Sequence, residues 1–184
     1  MHLHSIPAYQ LGDQLHVGAR PSPDRMNPVN ERDDRHRFGR KPWGGFWTST
    51  YLGENGSDWV RWCEGEDFDD TNRSRWWILR PTSDAPVLRI DSWSDFDAIE
   101  QRYAVQLYPE IPHDLKTWNF LAMAADGFAG VHLTKMASID LHYGRGATME
   151  DLNSWDCEST VWFQWLFDEP YQPAFAAPAL VDAA

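Results

Sequence analysis

Apolar and polar positions alternate over residues 13–19, DQLHVGA, where Leu15 and Val17 flank His16 and Gly18 closes the run, the period-two pattern of a short strand. Gly44-Gly45 opens a second apolar, β-favouring run, FWTSTYL. Between them, Arg20 to Pro42 carries no apolar periodicity, and its length exceeds ordinary connections, so a long loop is expected there. Residues 57–64, SDWVRWCE, place Trp59, Val60 and Cys63 at helical spacing behind Ser57 as N-cap. Two strands follow at 75–80, RWWILR, and 86–91, PVLRID, separated by the turn PTSDAP. Ser94 with Asp97 three residues on starts a helix whose Phe96, Ile99, Tyr103 and Leu107 share one face, with Pro109 and Pro112 beyond its end. A second helix is expected from Asp114 to Asp126, burying Leu115, Trp118, Leu121 and Ala122 and stopping at Gly127. Residues 128–134, FAGVHLT, read as a strand, a loop containing GRG follows, and 159–167, STVWFQWLF, form a last strand.

Helices that do not alternate regularly with strands imply an α+β fold. At 184 residues the chain forms one domain, expected over 1–167, with the Pro- and Ala-rich stretch 168–184 as a disordered tail. Two cysteines, Cys63 and Cys157, make no disulfide framework, and no CxxC pair marks a zinc site. No apolar run approaches the ~20 residues that cross a bilayer, and MHLHSIPAYQ lacks the charged-then-apolar layout of a secretion signal, so a cytoplasmic protein with no membrane partner is expected.

The formal charge of −12 disfavours broad, phosphate-driven nucleic-acid binding. Charge is uneven, however: Arg20 to Lys41 holds seven basic residues against four acidic ones. Eleven tryptophans form either a large aromatic core or a stacking surface.

Three segments set polar groups inside or at the end of an apolar strand: Leu15-His16-Val17-Gly18, Gly45-Phe46-Trp47-Thr48-Ser49-Thr50, and Asp156-Cys157-Glu158-Ser159-Thr160-Val161. Singly each has an ordinary reading: a hydrogen-bonded half-buried histidine, strand-forming hydroxyl residues, a solvated strand-start carboxylate. Taken in order they resemble the ADP-ribosyltransferase superfamily. Its members carry His or Arg in a first strand, an aromatic or Ser-Thr-Ser motif in a second, and Glu at the start of a later one. Leu-His16-Val-Gly18 is similar to the first motif in its histidine form. Gly45 to Thr50 followed by Ser57-Asp58-Trp59 resembles the second, and Asp156-Cys157-Glu158 ahead of STVWF the third. Gly127-Phe128-Ala129-Gly130-Val131 resembles the strand that often precedes that Glu. Trp47 stands where histidine-type members carry Tyr, while Thr48-Ser49-Thr50 is closer to the arginine-type members, so the pattern is a hybrid.

The resemblance implies a split, curved, mostly antiparallel sheet with flanking helices, and NAD as the substrate, with no metal. Breaking the nicotinamide–ribose bond passes through an oxocarbenium-like transition state, as glycoside hydrolysis does. It needs a fixed carboxylate beside the ribose and a clamp on the nicotinamide. By resemblance Glu158 is that carboxylate, His16 bonds a ribose hydroxyl, the backbone of Val17-Gly18 meets the carboxamide, and Trp47 or Trp59 stacks. Thr48, Ser49 and Ser57 complete the motif. Asp156 shares a strand face with Glu158 at i, i+2 and would orient an acceptor, or is simply a turn residue. Arg20 and the rest of the basic loop would meet the NAD pyrophosphate, a nucleic-acid acceptor, or only solvent. The implied activity is transfer of ADP-ribose to a protein or nucleic acid. NAD hydrolysis and a non-catalytic binding or inhibitor module are the alternatives, with a tryptophan-based sugar platform behind them. His2-Leu-His4 is a chelating pair without a spaced carboxylate or cysteine partner in the sequence.

Overall fold

A computed structural model describes residues 3–30, 41–69, 71–106, 116–144 and 155–175. The strands are β1 (Ser5–Pro7), β2 (Gln14–Val17), β3 (Asn27–Asn30), β4 (Trp43–Thr50), β5 (Trp76–Leu79), β6 (Pro86–Ile90), β7 (Ala104–Gln106), β8 (Lys116–Trp118), β9 (Gly130–Leu133) and β10 (Ser159–Trp162). The helices are α1 (Asp58–Glu66), α2 (Trp93–Tyr103), α3 (Phe120–Ala125) and α4 (Lys135–Tyr143). The main sheet runs β1-β6-β9-β10-β4-β2-β5, with β3 added on β4, and β7-β8 form a separate hairpin. Among the described residues every pairing is antiparallel except β6 with β9, so the fold is α+β, as the element order implied, with a mostly antiparallel open sheet and flanking helices, as expected from the resemblance.

Three elements differ from the sequence expectation for identifiable reasons. The first long helix is capped by Ser92, not Ser94: the Ser92 hydroxyl accepts from the Asp95 N–H and donates to the Asp95 carboxylate, a reciprocal cap three residues apart. The helix expected over 114–126 breaks in two. Trp118 lies in β8, and Asn119 accepts from the Ala122 N–H to start α3, which buries Phe120 and Met123 and leaves Leu121 exposed. Within the basic loop, Pro23–Arg25 form a 3-10 turn and Asn27–Asn30 pair with β4, while 31–40 lie outside the described residues, as do Leu107 and residues 114–115.

Ahead of the GRG sequence the chain folds as α4, capped by Thr134. β10 ends at Trp162, and 163–167 run on without strand pairing apart from a bridge at Phe167. The start of the expected disordered tail is instead held: Tyr171 exchanges both backbone hydrogen bonds with Ile78 of β5, and Phe175 packs edge-on against Trp76. The outer edge of β5 supplies the free N–H and C=O groups that capture it.

Apolar packing covers both faces of the sheet. One cluster joins Leu88, Ile90, Val131, Leu133 and Val161 to Phe96 and Ile99 of α2, Met123 of α3 and Leu141 of α4. A second holds Leu79, Val87 and Trp162 with Ala8, Phe46 and Phe167. A third sits under α1, where Val60 meets Leu15, Trp76 and Ile78. The tryptophans divide accordingly: Trp76, Trp118, Trp155 and Trp162 are buried in the core, whereas Trp47, Trp59 and Trp62 are half-buried.

Candidate functional site

The three motif strands become neighbours in the order β10-β4-β2. β4 pairs with β10 at Phe46–Thr48 but with β2 only at Ser49 and Thr50, and the β2–β4 register stops at Leu15↔Ser49. β2 continues along β5 to Val17, so the sheet splits between β4 and the end of β2. His16 stands at the split. Its Nδ1 lies 3.1 Å from the Trp47 carbonyl, which only accepts, so Nδ1 carries the proton and Nε2 offers a lone pair. Burial pushes the His16 pKa down, against the Trp47 bond, with the Arg75 charge adding to the fall, and the ring is neutral at physiological pH.

Gly18 keeps that nitrogen open. Its φ is +151°, and a Cβ there would lie 3.1 Å from His16 Nε2. Its own backbone is engaged: the N–H donates to Arg75 (2.9 Å) and the carbonyl accepts from Trp77 Nε1 (3.3 Å). Because peptide groups alternate edges along a strand, the N–H and C=O of Val17 then point to the split instead. Of the two residues expected to meet a carboxamide, Val17 is the one so placed.

Glu158 is 6 % exposed and held on several sides. Its carboxylate accepts from Ser49 Oγ (2.5 Å), Thr50 Oγ1 (2.9 Å) and the Thr50 N–H (3.0 and 3.1 Å to its two oxygens). Ser49 Oγ accepts in turn from the Trp59 N–H (3.4 Å), tying the carboxylate to α1. Burial pushes the Glu158 pKa up and nearby Asp58 adds to this, while the Ser49 and Thr50 bonds oppose both. The Glu158 N–H donates to Asp58, which also binds Lys135.

Behind Glu158 runs a buried polar network that the sequence did not disclose. Trp162 Nε1 donates to Thr48 Oγ1 (2.8 Å), and Thr48 donates to Gln14 Oε1 (2.8 Å). Gln14 donates onward to the Leu11 carbonyl. Thr160 also reaches Gln14 (3.4 Å) and lies 2.8 Å from His132 Nδ1. That nitrogen is 3.6 Å from Glu158 Oε1, yet the contact is not an ion pair: burial, with Arg89 beside it, lowers the His132 pKa to about 3. Thr48 thus serves this network first. The one signal for His132 was its place in the strand that pairs with β10.

Beside the split lies a cavity of about 260 Å³. Leu15 to Val17 and Trp47 to Ser49 line it together with Lys41, Trp59, Trp155 and Ser159. Asp69, Asp156 and Cys157 also line it. Glu158 stands behind Ser49 and is not among the lining residues, so Asp156 and Glu158 do not share a cavity-facing edge. The reason is local: β10 begins only at Ser159, and the preceding bend breaks the i, i+2 relation. Lys41, the last basic residue of the island, has its Nζ 4.8 Å from the Trp47 ring centroid and 5.7 Å from that of Trp59. Burial pushes its pKa down, and Asp156 opposes the shift.

Two expected site residues lie elsewhere. Ser57 is buried as the N-cap of α1, accepting from the Val60 N–H. Arg20 pairs with Glu169, sits over Trp77, and lines a separate groove with Trp165 and Phe167. His4, Asp91 and Asp95 bring three potential metal-ligand atoms within 4.8 Å of one another, so His4 does gain carboxylate neighbours. Asp91 is already paired with Arg89, and one Asp95 oxygen accepts from Asp91 N–H and Ser92 Oγ at the α2 cap.

Comparison with protein-family models, with curated proteins and with solved structures finds no match for this chain. No helix among the described residues is long and apolar enough to cross a membrane.

Proposed function

We propose that the chain is an NAD-dependent ADP-ribosyltransferase acting at the split between β2 and β4. The observation that carries this reading is the fixing of Glu158 by Ser49 and Thr50 next to the strand that places His16. These groups come from three segments far apart in sequence, and their hydrogen bonds give each a defined task. Neutral His16 accepts a ribose hydroxyl through Nε2, and the Val17 N–H and C=O match the acceptor and donor of a carboxamide. Trp47 supplies an aromatic wall. A cavity of about 260 Å³ falls below the ~300–1,000 Å³ typical of sites that enclose a whole ligand, so it takes the nicotinamide-ribose end while the rest of the dinucleotide lies across its mouth.

In the reaction the C1′–N bond breaks and its electron pair leaves with neutral nicotinamide. In its carboxylate form Glu158, held behind Ser49, stabilises the positive charge that develops on the ribose. The acceptor's lone pair then bonds C1′, and its proton passes to Asp156 at the cavity wall.

The test is incubation with NAD labelled in its adenosine portion, together with cell lysate, following label into protein and nucleic acid separately. Label in a macromolecule supports transfer, and nicotinamide release with label in neither identifies a glycohydrolase. Absence of nicotinamide release contradicts catalysis and leaves a binding module.

A further inference from the structure

The outer face of α1 carries aromatic surface that the core does not use. Val60 and Cys63 are the helix's buried stripe. Trp59 and Trp62, also three apart, stack beside it with ring centroids 5.1 Å apart and planes 22° from parallel. Phe68, 62 % exposed, completes the group at 5.0 Å from Trp62 and 5.9 Å from Trp59. Its position is built: Asp67 ends α1 in the left-handed region at φ 50°, and the Phe68 N–H returns to the Cys63 carbonyl at 3.1 Å. That conformation, uncommon for a non-glycine residue, delivers an exposed ring onto two tryptophans instead of into the core.

Charge selects the ligand. Glu66 lies on the same face of α1 one turn beyond Trp62, and Asp67 directly precedes Phe68; both are exposed and without an ion pair among the described residues. Arg61 is the one basic residue between 58 and 69. Stacked indoles alone would suit a nucleobase, but carboxylates on the same surface repel its phosphates. A guanidinium or ammonium gains from both features, since ring faces and carboxylates each attract it. Trp59 already meets such a group, the Lys41 ammonium at 5.7 Å, and through Trp59 the patch is continuous with the cavity.

We infer that Trp59, Trp62 and Phe68, with Glu66 and Asp67, form a docking surface for an arginine- or lysine-rich segment of a protein. Its role as the acceptor surface rests on the ADP-ribosyl-transfer reading, whereas the binding itself does not.

The test is fluorescence anisotropy at physiological salt with three labelled probes: an arginine–glycine repeat peptide, a glutamate–glycine repeat peptide and single-stranded oligothymidylate. The full chain binds the arginine peptide in preference to the other two. Phe68→Ala weakens that binding roughly threefold, and the combined Glu66→Gln, Asp67→Asn variant roughly fivefold, as exposed cation–π and charge contacts allow. Asparagine keeps the left-handed cap accessible, so the combined variant retains the helix end. Failure to bind the arginine peptide, preference for oligothymidylate, or variants that bind like the parent overturns the inference. Nicotinamide release without acceptor, measured on the same samples, is unchanged by these variants. If release is absent while peptide binding follows the stated pattern, the transfer reading falls and the docking surface stands.

Discussion

Ser49→Ala removes one hydroxyl from the group that fixes Glu158, and the structure sets the size of the effect. The lost bond is 2.5 Å long, made to a carboxylate, and buried. A hydrogen bond to a charged group contributes about 1.5–3 kcal/mol. The Thr50 N–H and hydroxyl already bind the same carboxylate, so neither is free to replace it. At roughly 2–4 °C per kcal/mol for a chain of this size, the melting temperature at pH 7 falls by roughly 3–12 °C. Once the carboxyl is protonated, the missing contact is between neutral groups, worth about 1 kcal/mol, so the difference narrows in acid. The Ser49 bond also opposes the burial that raises the Glu158 pKa. Its removal therefore moves the acid limb of nicotinamide release to higher pH, and at pH 7 the looser carboxylate costs roughly ten- to a hundredfold in rate. Circular-dichroism melts at neutral and acid pH, with a nicotinamide-release profile, read all three effects. A melting temperature within about 1 °C of the parent at pH 7, with an unshifted profile, would refute the reasoning.

Gly18→Ala sets a methyl group 3.1 Å from His16 Nε2 at a φ that side chains disfavour; calorimetry should show NAD affinity reduced at least tenfold, with only about 1 kcal/mol lost from stability. Thr48→Val strands the buried Trp162 N–H and leaves the Gln14 carbonyl oxygen with only its longer contact to Thr160, so urea denaturation should show a loss of roughly 1–3 kcal/mol. His132 has a folded pKa below its ordinary value, so its contribution is present above pH ~6.5 and is lost progressively toward pH ~3; His132→Gln should flatten that slope in pH-dependent melts. Glu158 has the opposite sign, since its raised pKa makes the folded state bind the proton more readily. Its ionisation costs stability as pH rises through the folded pKa, so Glu158→Gln should gain on the parent toward neutral pH and lose that advantage in acid.

The parts legible in the sequence were those with a strong local signal. Ser57 ahead of Val60 and Cys63 announced α1 because a cap and an apolar stripe coincide; Leu15 and Val17 announced β2 by alternation, and the β-favouring run FWTST announced β4. The order of motifs also translated into space, as β10, β4 and β2 lie side by side. What stayed hidden depends on partners distant in sequence. α4 buries Ala137, Ser138 and Leu141 while exposing Met136, Ile139 and Tyr143, so its hydropathy points to the wrong face. β3 is four residues long and finds its order by pairing with β4 and by burying Val29 in the core, neither of which its own sequence announces. Trp118 fits a helical period on paper, yet its indole donates to Glu100 of α2 from a hairpin strand. At the site, Lys41 looked like one charge of a basic loop until Trp47 and Trp59 closed around it, and Arg20, next to the motif in sequence, turned away to Glu169.

The most direct measurement is nicotinamide release from NAD by the purified chain, compared with Glu158→Gln under conditions where melting shows both proteins folded. Release by the parent that falls at least a hundredfold in Glu158→Gln, with NAD binding retained, is the expected result. Equal release by the two proteins, or none by the parent with or without an acceptor, would contradict a catalytic site built on Glu158.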